Sequence, residues 1–167
     1  IQAVILPIAA HKPGVMEACE KLFEDIVLAF KKDREHFCGS FVYAPLPTRK
    51  HIDRYIIIDG QQRFTTLYIL IKALADSATD ESDKAELEKY LYNEDKFNRY
   101  GLDDKSKLKL KPVKTDNDQL QLLMAGKLDK MNKGKDGIIY HNYMLFRELI
   151  ATFLAEDPDN SIMMIHD

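Results

Sequence analysis

The sequence is short of several things, and each shortage removes a class of protein. It has two cysteines in 167 residues. Cys19 and Cys38 are too few and too far apart for a disulfide framework or a zinc site. That usage fits a reduced compartment, and the expected location is the cytoplasm. No apolar run approaches the ~18 residues of a membrane span, and the longest, around residues 68–71, is interrupted by Lys72. Nor is there an excess of positive charge. The 24 basic and 27 acidic residues leave a net charge of −3, whereas a chain that coats nucleic acid non-specifically carries a basic surplus. Any contact with DNA is therefore local. The 5 histidines (His11, His36, His51, His141, His166) lack the His-x-x-x-His or His-Glu-x-x-His spacing that builds a metal site on a helix. There is no internal repeat and no low-complexity tract. The start, Ile1-Gln2-Ala3-Val4, has neither the basic nor the apolar region of a signal peptide, and no initiator Met. The chain stops directly after the strand-like residues 161–165. Both ends read as cuts, so the expectation is a piece of a longer chain.

What remains is an ordinary globular composition, 46% hydrophobic and 31% charged, of single-domain size. Residues 3–8 form a short apolar run closed by Pro7, read as an edge strand or extended arm. Cys19, Leu22, Phe23, Ile26, Val27 and Phe30 then recur at helical spacing, with acids early and lysines late. Residues 37–43 read as a strand, with Gly39 a bulge or a close backbone approach. Pro45 and Pro47 make residues 44–50 a loop. Arg54-Tyr-Ile-Ile-Ile58 reads as a fully buried central strand, stopping at Asp59-Gly60. A second helix places Phe64, Leu67, Tyr68, Ile71, Leu74 and Ala75 on one face. Residues 76–83 are small and polar, a loop, and 84–92 a shorter helix.

The charged stretch 93–106 shows no clear core. Lys107-Leu-Lys-Leu-Lys111 alternates strictly and reads as an exposed strand. Residues 120–124 suggest a helix ended by Gly126, and the lysine-rich 127–137 a mobile loop. The last helix carries Ile139, Tyr143, Phe146, Leu149, Ile150 and Phe153 up to Asp157-Pro158. The expectation is an α+β chain: a small unit of strands and helices over residues 1–78, then a mainly helical extension of the same domain over 79–167.

One segment carries chemistry: Ile56-Ile57-Ile58-Asp59-Gly60-Gln61-Gln62-Arg63-Phe64-Thr65-Thr66-Leu67. A strand runs into a helix through Asp and Gly. Gly60 can take a positive φ or admit a ligand close to the backbone. The first helical turn offers N–H groups without intrahelical partners and the positive end of the dipole, which suits phosphate. Arg63 can add a bidentate contact. Gln61 and Gln62 supply amides able to orient a water, a sugar hydroxyl or a base edge, and Thr65 and Thr66 add hydroxyls. Asp59 would repel bare phosphate, so it calls for a divalent cation between them or for a water to position. That pattern fits a nucleoside triphosphate with Mg²⁺ better than a plain phosphate ester. The same residues also admit a purely structural reading. Asp is a favoured N-cap, and Asp59 and Arg63 form an ordinary i,i+4 pair worth ~0.3–0.5 kcal/mol.

The run Ile58-Asp59-Gly60-Gln61-Gln62-Arg63-Phe64-Thr65-Thr66-Leu67 resembles the signature of the GmrSD restriction-endonuclease N-terminal domain family. Its flanks are similar too: residues 22–26, Phe37-Cys38-Gly39-Ser40-Phe41-Val42, residues 107–110 with 116–118, and Asn142, Tyr143 and Phe146. The resemblance implies a ParB/sulfiredoxin-like fold with a small mixed sheet. It also implies nucleotide binding and hydrolysis, coupled in phage defence to recognition of modified DNA. An HNH-type nuclease domain, which these residues do not contain, would do the cutting. By the resemblance, Asp59, Gly60, Gln61, Gln62 and Arg63 line the nucleotide site, with Asp59 at the metal. The family's Ile-Pro-x-Tyr-Gln-Arg arm corresponds here to Leu6-Pro-Ile-Ala-Ala-His11-Lys12. His11 and Lys12 are then the residues that stand in as phosphate contacts. The family superfold includes sulfiredoxins, but their reactive Cys follows the motif glycine, where this chain has Gln61.

A second function is open: a non-catalytic DNA-binding or adaptor module, its turn on a DNA phosphate. Lys107, Lys109 and Lys111 fall on one face as a phosphate-contacting strip, extendable by the 127–135 loop. They equally read as the lysines that protect an edge strand. Cys38 reads as a small buried side chain, and Tyr140, Tyr143 and Phe146 as core.

Overall fold

The computed structural model describes residues 2–5, 15–35, 37, 39–49, 51–93, 107–112 and 114–166. The chain is α+β. Its strands are β1 (Gln2–Ile5), β2 (Val42–Arg49), β3 (Ile52–Asp59) and β4 (Leu110–Lys111). Its described helices include α1 (Val15–Lys31), α2 (Gln61–Ser77), α3 (Glu81–Leu91), α4 (Lys114–Met124), α5 (Ile138–Glu156) and α6 (Met163–His166), with a 3₁₀ turn at Leu128–Lys130. The strands form one mixed sheet in the order β2-β3-β1-β4.

The sheet corrects several expectations. β1 is interior, parallel to both β3 and β4, with Ala3 opposite Tyr55 on one side and Leu110 on the other. The prolines do not make a loop. β2 starts only at Val42, runs through Pro45 and Pro47, and pairs antiparallel with β3. It can do so because it is an edge strand: prolines two residues apart put both missing N–H groups on the same side, and among the described residues β2 has a side with no strand beside it. β3 is central but not buried on both faces. Ile57 is buried, whereas Ile58, which alternation turns to the opposite face, is 51% exposed.

One core cluster runs through the molecule, from Phe23 on α1 and Ile57 on β3 to Leu120, Phe146 and Ile165. α2 is its axis. Tyr68, Ile69, Leu70, Ala73, Leu74 and Ala75 are all buried, more than a single face, because α3 and α5 both pack on it. The expected loop at 76–83 shrinks to three residues. α2 continues to Ser77, and Asp80 caps α3 by accepting from the Ser82 and Asp83 N–H groups. Leu108 and Leu110 are buried, so the lysine alternation has an inner side, but the strand itself is only two residues long.

α4 closes as expected at Gly126, whose N–H donates to Leu123 O while Lys127 N–H donates to Leu122 O. The lysine-rich loop that follows is tied down rather than loose. Met131 is buried. Asn132 N–H donates to Gln119 Oε1 at 2.7 Å, and Asn132 Oδ1 accepts from Gly134 N–H at 2.9 Å. Residues 161–165 are a turn entering α6 and not a strand. Ile162 and Ile165, three apart as a helix requires, both enter the core, and α6 packs against α1. Residues 94–106 and Cys38 lie outside the described residues.

Candidate functional site at the strand-to-helix turn

The turn between β3 and α2 is tight because Gly60 has φ +83°, where an L side chain is strained. Gly60 is the N-cap, and among the described residues no N-cap side-chain bond closes the helix end. This corrects the reading of Asp59 as the cap: Asp59 is the last residue of β3, one position too early. The first intrahelical bond runs from Phe64 N–H to Gly60 O at 2.9 Å. Among the described residues the first-turn N–H groups therefore have no N-cap side chain to bond at the positive end of the α2 dipole.

Arg63 lies over this end, held by a segment that leads into β2. Its Nη2 donates to Ser40 O at 2.8 Å, and its guanidinium carbon stands 5.2 Å from the centre of the Phe41 ring. Gly39 presses its backbone against the same group: a Cβ there would lie 1.7 Å from Arg63 Nη1. The close backbone approach expected of Gly39 is thus present, and Arg63 is what approaches. Asp59 Oδ2 is 3.8 Å from Arg63 Nη2 with both side chains substantially exposed, so that pair is weak.

The other motif residues divide into two groups. Gln62 is exposed at the turn. Gln61 is buried, and its Nε2 donates back to Ile57 O at 2.5 Å, tying the helix start to the strand it has left. Thr65 Oγ1 donates to Gln61 O at 3.0 Å. Thr66 faces α1 and hydrogen-bonds the Cys19 thiol, whose pKa burial pushes up to about 11. Asp59, Gln62 and Arg63 therefore lie on the open side of the turn, Gly60 is covered by Phe41 and Arg63 at the position a Cβ would take, and Gln61, Thr65 and Thr66 make internal bonds. His11 and Lys12 lie outside the described residues.

Of the three lysines only Lys111 is in the sheet, on β4; Lys107 is helical and Lys109 lies in a bend. Lys107 is exposed and Lys111 half-buried, while the Lys109 ammonium donates to the Lys89 carbonyl. Among the described residues no group of three His, Cys, Asp or Glu is placed to hold a metal. A metal here would rest on Asp59 and on oxygens of its ligand. An open groove of about 530 Å³, lined by Met16, Leu128, Tyr143, Met144 and Arg147 among others, shares no residue with the turn. No described helix is long and apolar enough to cross a membrane. The sequence pattern had no means of showing that Ser40 and Phe41 reach Arg63, because a contact across 23 residues leaves no periodic trace.

Residues 16–166 match the family described as GmrSD restriction endonuclease, N-terminal domain. No curated protein matches the chain. The matched stretch takes in the turn, the segment that grips Arg63, and all of α1 to α5 but the first residue of α1. The chain belongs to the GmrSD restriction endonuclease N-terminal domain family, and so to a restriction and phage-defence protein.

Proposed function

We propose that this domain binds and hydrolyses a nucleoside triphosphate with Mg²⁺ at the Asp59–Arg63 turn. In doing so it regulates DNA cleavage by an HNH-type nuclease domain outside these residues. The observation that supports this most is a helix start whose N-cap is a glycine, with a guanidinium held over it. The α2 N–H groups and Arg63 would hold phosphate oxygens. Mg²⁺ is usually held by one or two carboxylates together with substrate phosphates, and a single exposed Asp59 fits that donor set. The metal would neutralise phosphate charge. Gln62, exposed beside Asp59, would orient water or nucleotide; Gln61 would keep the helix start in register with β3. The ParB/sulfiredoxin-like label and a cytoplasmic location belong to this same proposal. The triphosphate acts as a switch only through a difference in affinity between two arrangements of the whole protein.

A thermal-shift series with ATP, GTP, CTP and UTP, with and without Mg²⁺, tests it, using Asp59→Ala as control. A ligand at 100 times its dissociation constant stabilises the fold by ~2.7 kcal/mol. The expected result is a Mg²⁺-dependent rise in Tm that the variant loses. No rise with any triphosphate sinks the proposal. If DNA binding with a steep salt dependence is found instead, the turn grips a DNA phosphate and the domain is an adaptor.

A further inference from the structure

Arg63 is gripped from three sides by three consecutive residues that are neither strand nor helix. Gly39, at φ +87°, gives a bare backbone floor: a Cβ there would be strained and would sit 1.7 Å from Nη1 and 2.9 Å from Cζ, so any side chain would push the guanidinium aside. Ser40 gives its carbonyl to Nη2 at 2.8 Å. Phe41 gives its ring face to the guanidinium at 5.2 Å. The same ring stands edge-on to Phe64, with centroids 5.9 Å apart at 88°, and closes on Gly60, where a Cβ would come within 2.7 Å of Phe41 Cδ1. Phe41 therefore touches the turn, the first helical residues and the arginine at once. Asp59, at 3.8 Å and 70% exposed, is too far and too wet to hold Arg63 by itself.

A long arginine that must be ordered by its ligand loses rotamer freedom on binding, whereas one held in advance does not. We propose that Gly39, Ser40 and Phe41 are positioning residues for Arg63: they fix its guanidinium beside the first turn of α2, so that the oxyanion of a phosphate ligand meets a preset fork. This rests on the reading of the turn as a phosphate site. Its claim is separate, because the grip is made by a segment outside the Asp-Gly-Gln-Gln-Arg motif.

The test uses the 167-residue chain and Phe41→Leu, Phe41→Tyr and Gly39→Ala. It has two readouts: titration with the four triphosphates and Mg²⁺, and the Arg63 Nε–H resonance. Phe41→Tyr keeps the ring and should bind within about twofold of the parent. Phe41→Leu, which fills space but offers no π face, should lose about tenfold in affinity, and Gly39→Ala at least as much. The Arg63 resonance should lie apart from those of exposed arginines in the parent and in Phe41→Tyr, and move among them in Phe41→Leu. Parent-like binding by Phe41→Leu and Gly39→Ala overturns the proposal, as does a parent Arg63 resonance already among the exposed arginines. If no triphosphate binds the parent, the nucleotide reading fails, and inorganic pyrophosphate titrated into the same variants decides the positioning claim by the same criteria. No pyrophosphate binding overturns both.

Discussion

Asp76→Ala should be among the most damaging single changes at a polar residue. Lys72 lies inside α2 with its side chain 11% exposed, and its ammonium is 2.6 Å from Asp76 Oδ1. The other carboxylate oxygen, Oδ2, accepts from the Tyr143 hydroxyl at 2.8 Å, and that hydroxyl accepts from Arg147 Nη1 at 3.1 Å. One carboxylate thus joins α2 to α5. Removing it leaves a cation with little water and a buried phenol without its acceptor. Breaking a buried pair from one side costs ~3–5 kcal/mol. The Asp76 side chain is 25% exposed, so water takes up part of the loss and the lower end, ~3 kcal/mol, is expected. At ~2–4 °C per kcal/mol for this size, Tm falls by roughly 6–12 °C. Asp76→Asn keeps an acceptor for Tyr143 and should lose only ~1–2 kcal/mol. Adding Lys72→Met to Asp76→Ala should restore part of the stability, since the stranded charge is gone. Urea denaturation at pH 7 measures all three. A loss below ~1 kcal/mol for Asp76→Ala, or a double variant no better than the single, refutes the reasoning.

Three further outcomes follow from the same geometry. Burial raises the Cys19 thiol from 9.0 to about 11, so the neutral thiol's contribution is whole below pH 9 and is lost as pH rises towards 11. A Tm–pH series should show Cys19→Ala with a flatter alkaline limb than the parent over that window. Phe146, with no exposed surface in the centre of the core, should lose ~3–5 kcal/mol on change to Ala, seen as a lower urea midpoint. Gln61→Leu should lower stability by ~1–2 kcal/mol by stranding the Ile57 carbonyl, whereas Gln62→Ala should leave it within ~0.5 kcal/mol.

The elements that were legible in the sequence are those whose periodicity is local. Cys19 and Phe23, or Ile139, Tyr143, Phe146, Ile150 and Phe153, declare a buried helix stripe by spacing alone, and the helices are there. Asp59-Gly60 declared the turn, because a glycine between a β-branched run and a helical pattern has few other uses. What was not legible depends on the partner. Pro45 and Pro47 forbid a central strand but not an edge, and sheet order is a tertiary fact. The 161–165 run has strand composition, yet Ile162 and Ile165 find their burial against α1 at helical spacing. At the site, composition named Arg63 and Asp59 as charges that could pair. It could not show that Ser40 and Phe41, 22 and more residues earlier, hold the arginine more closely than Asp59 does.

On the reading proposed above, Arg63 and the start of α2 form a phosphate site for a nucleotide. Isothermal titration of each triphosphate with Mg²⁺ into the parent and Arg63→Ala tests it most directly. The expected result is Mg²⁺-dependent binding of at least one triphosphate by the parent, weakened about tenfold or more in the variant, in line with the ~1.5–3 kcal/mol of a charged hydrogen bond. Equal binding by both proteins, or none by the parent, contradicts it.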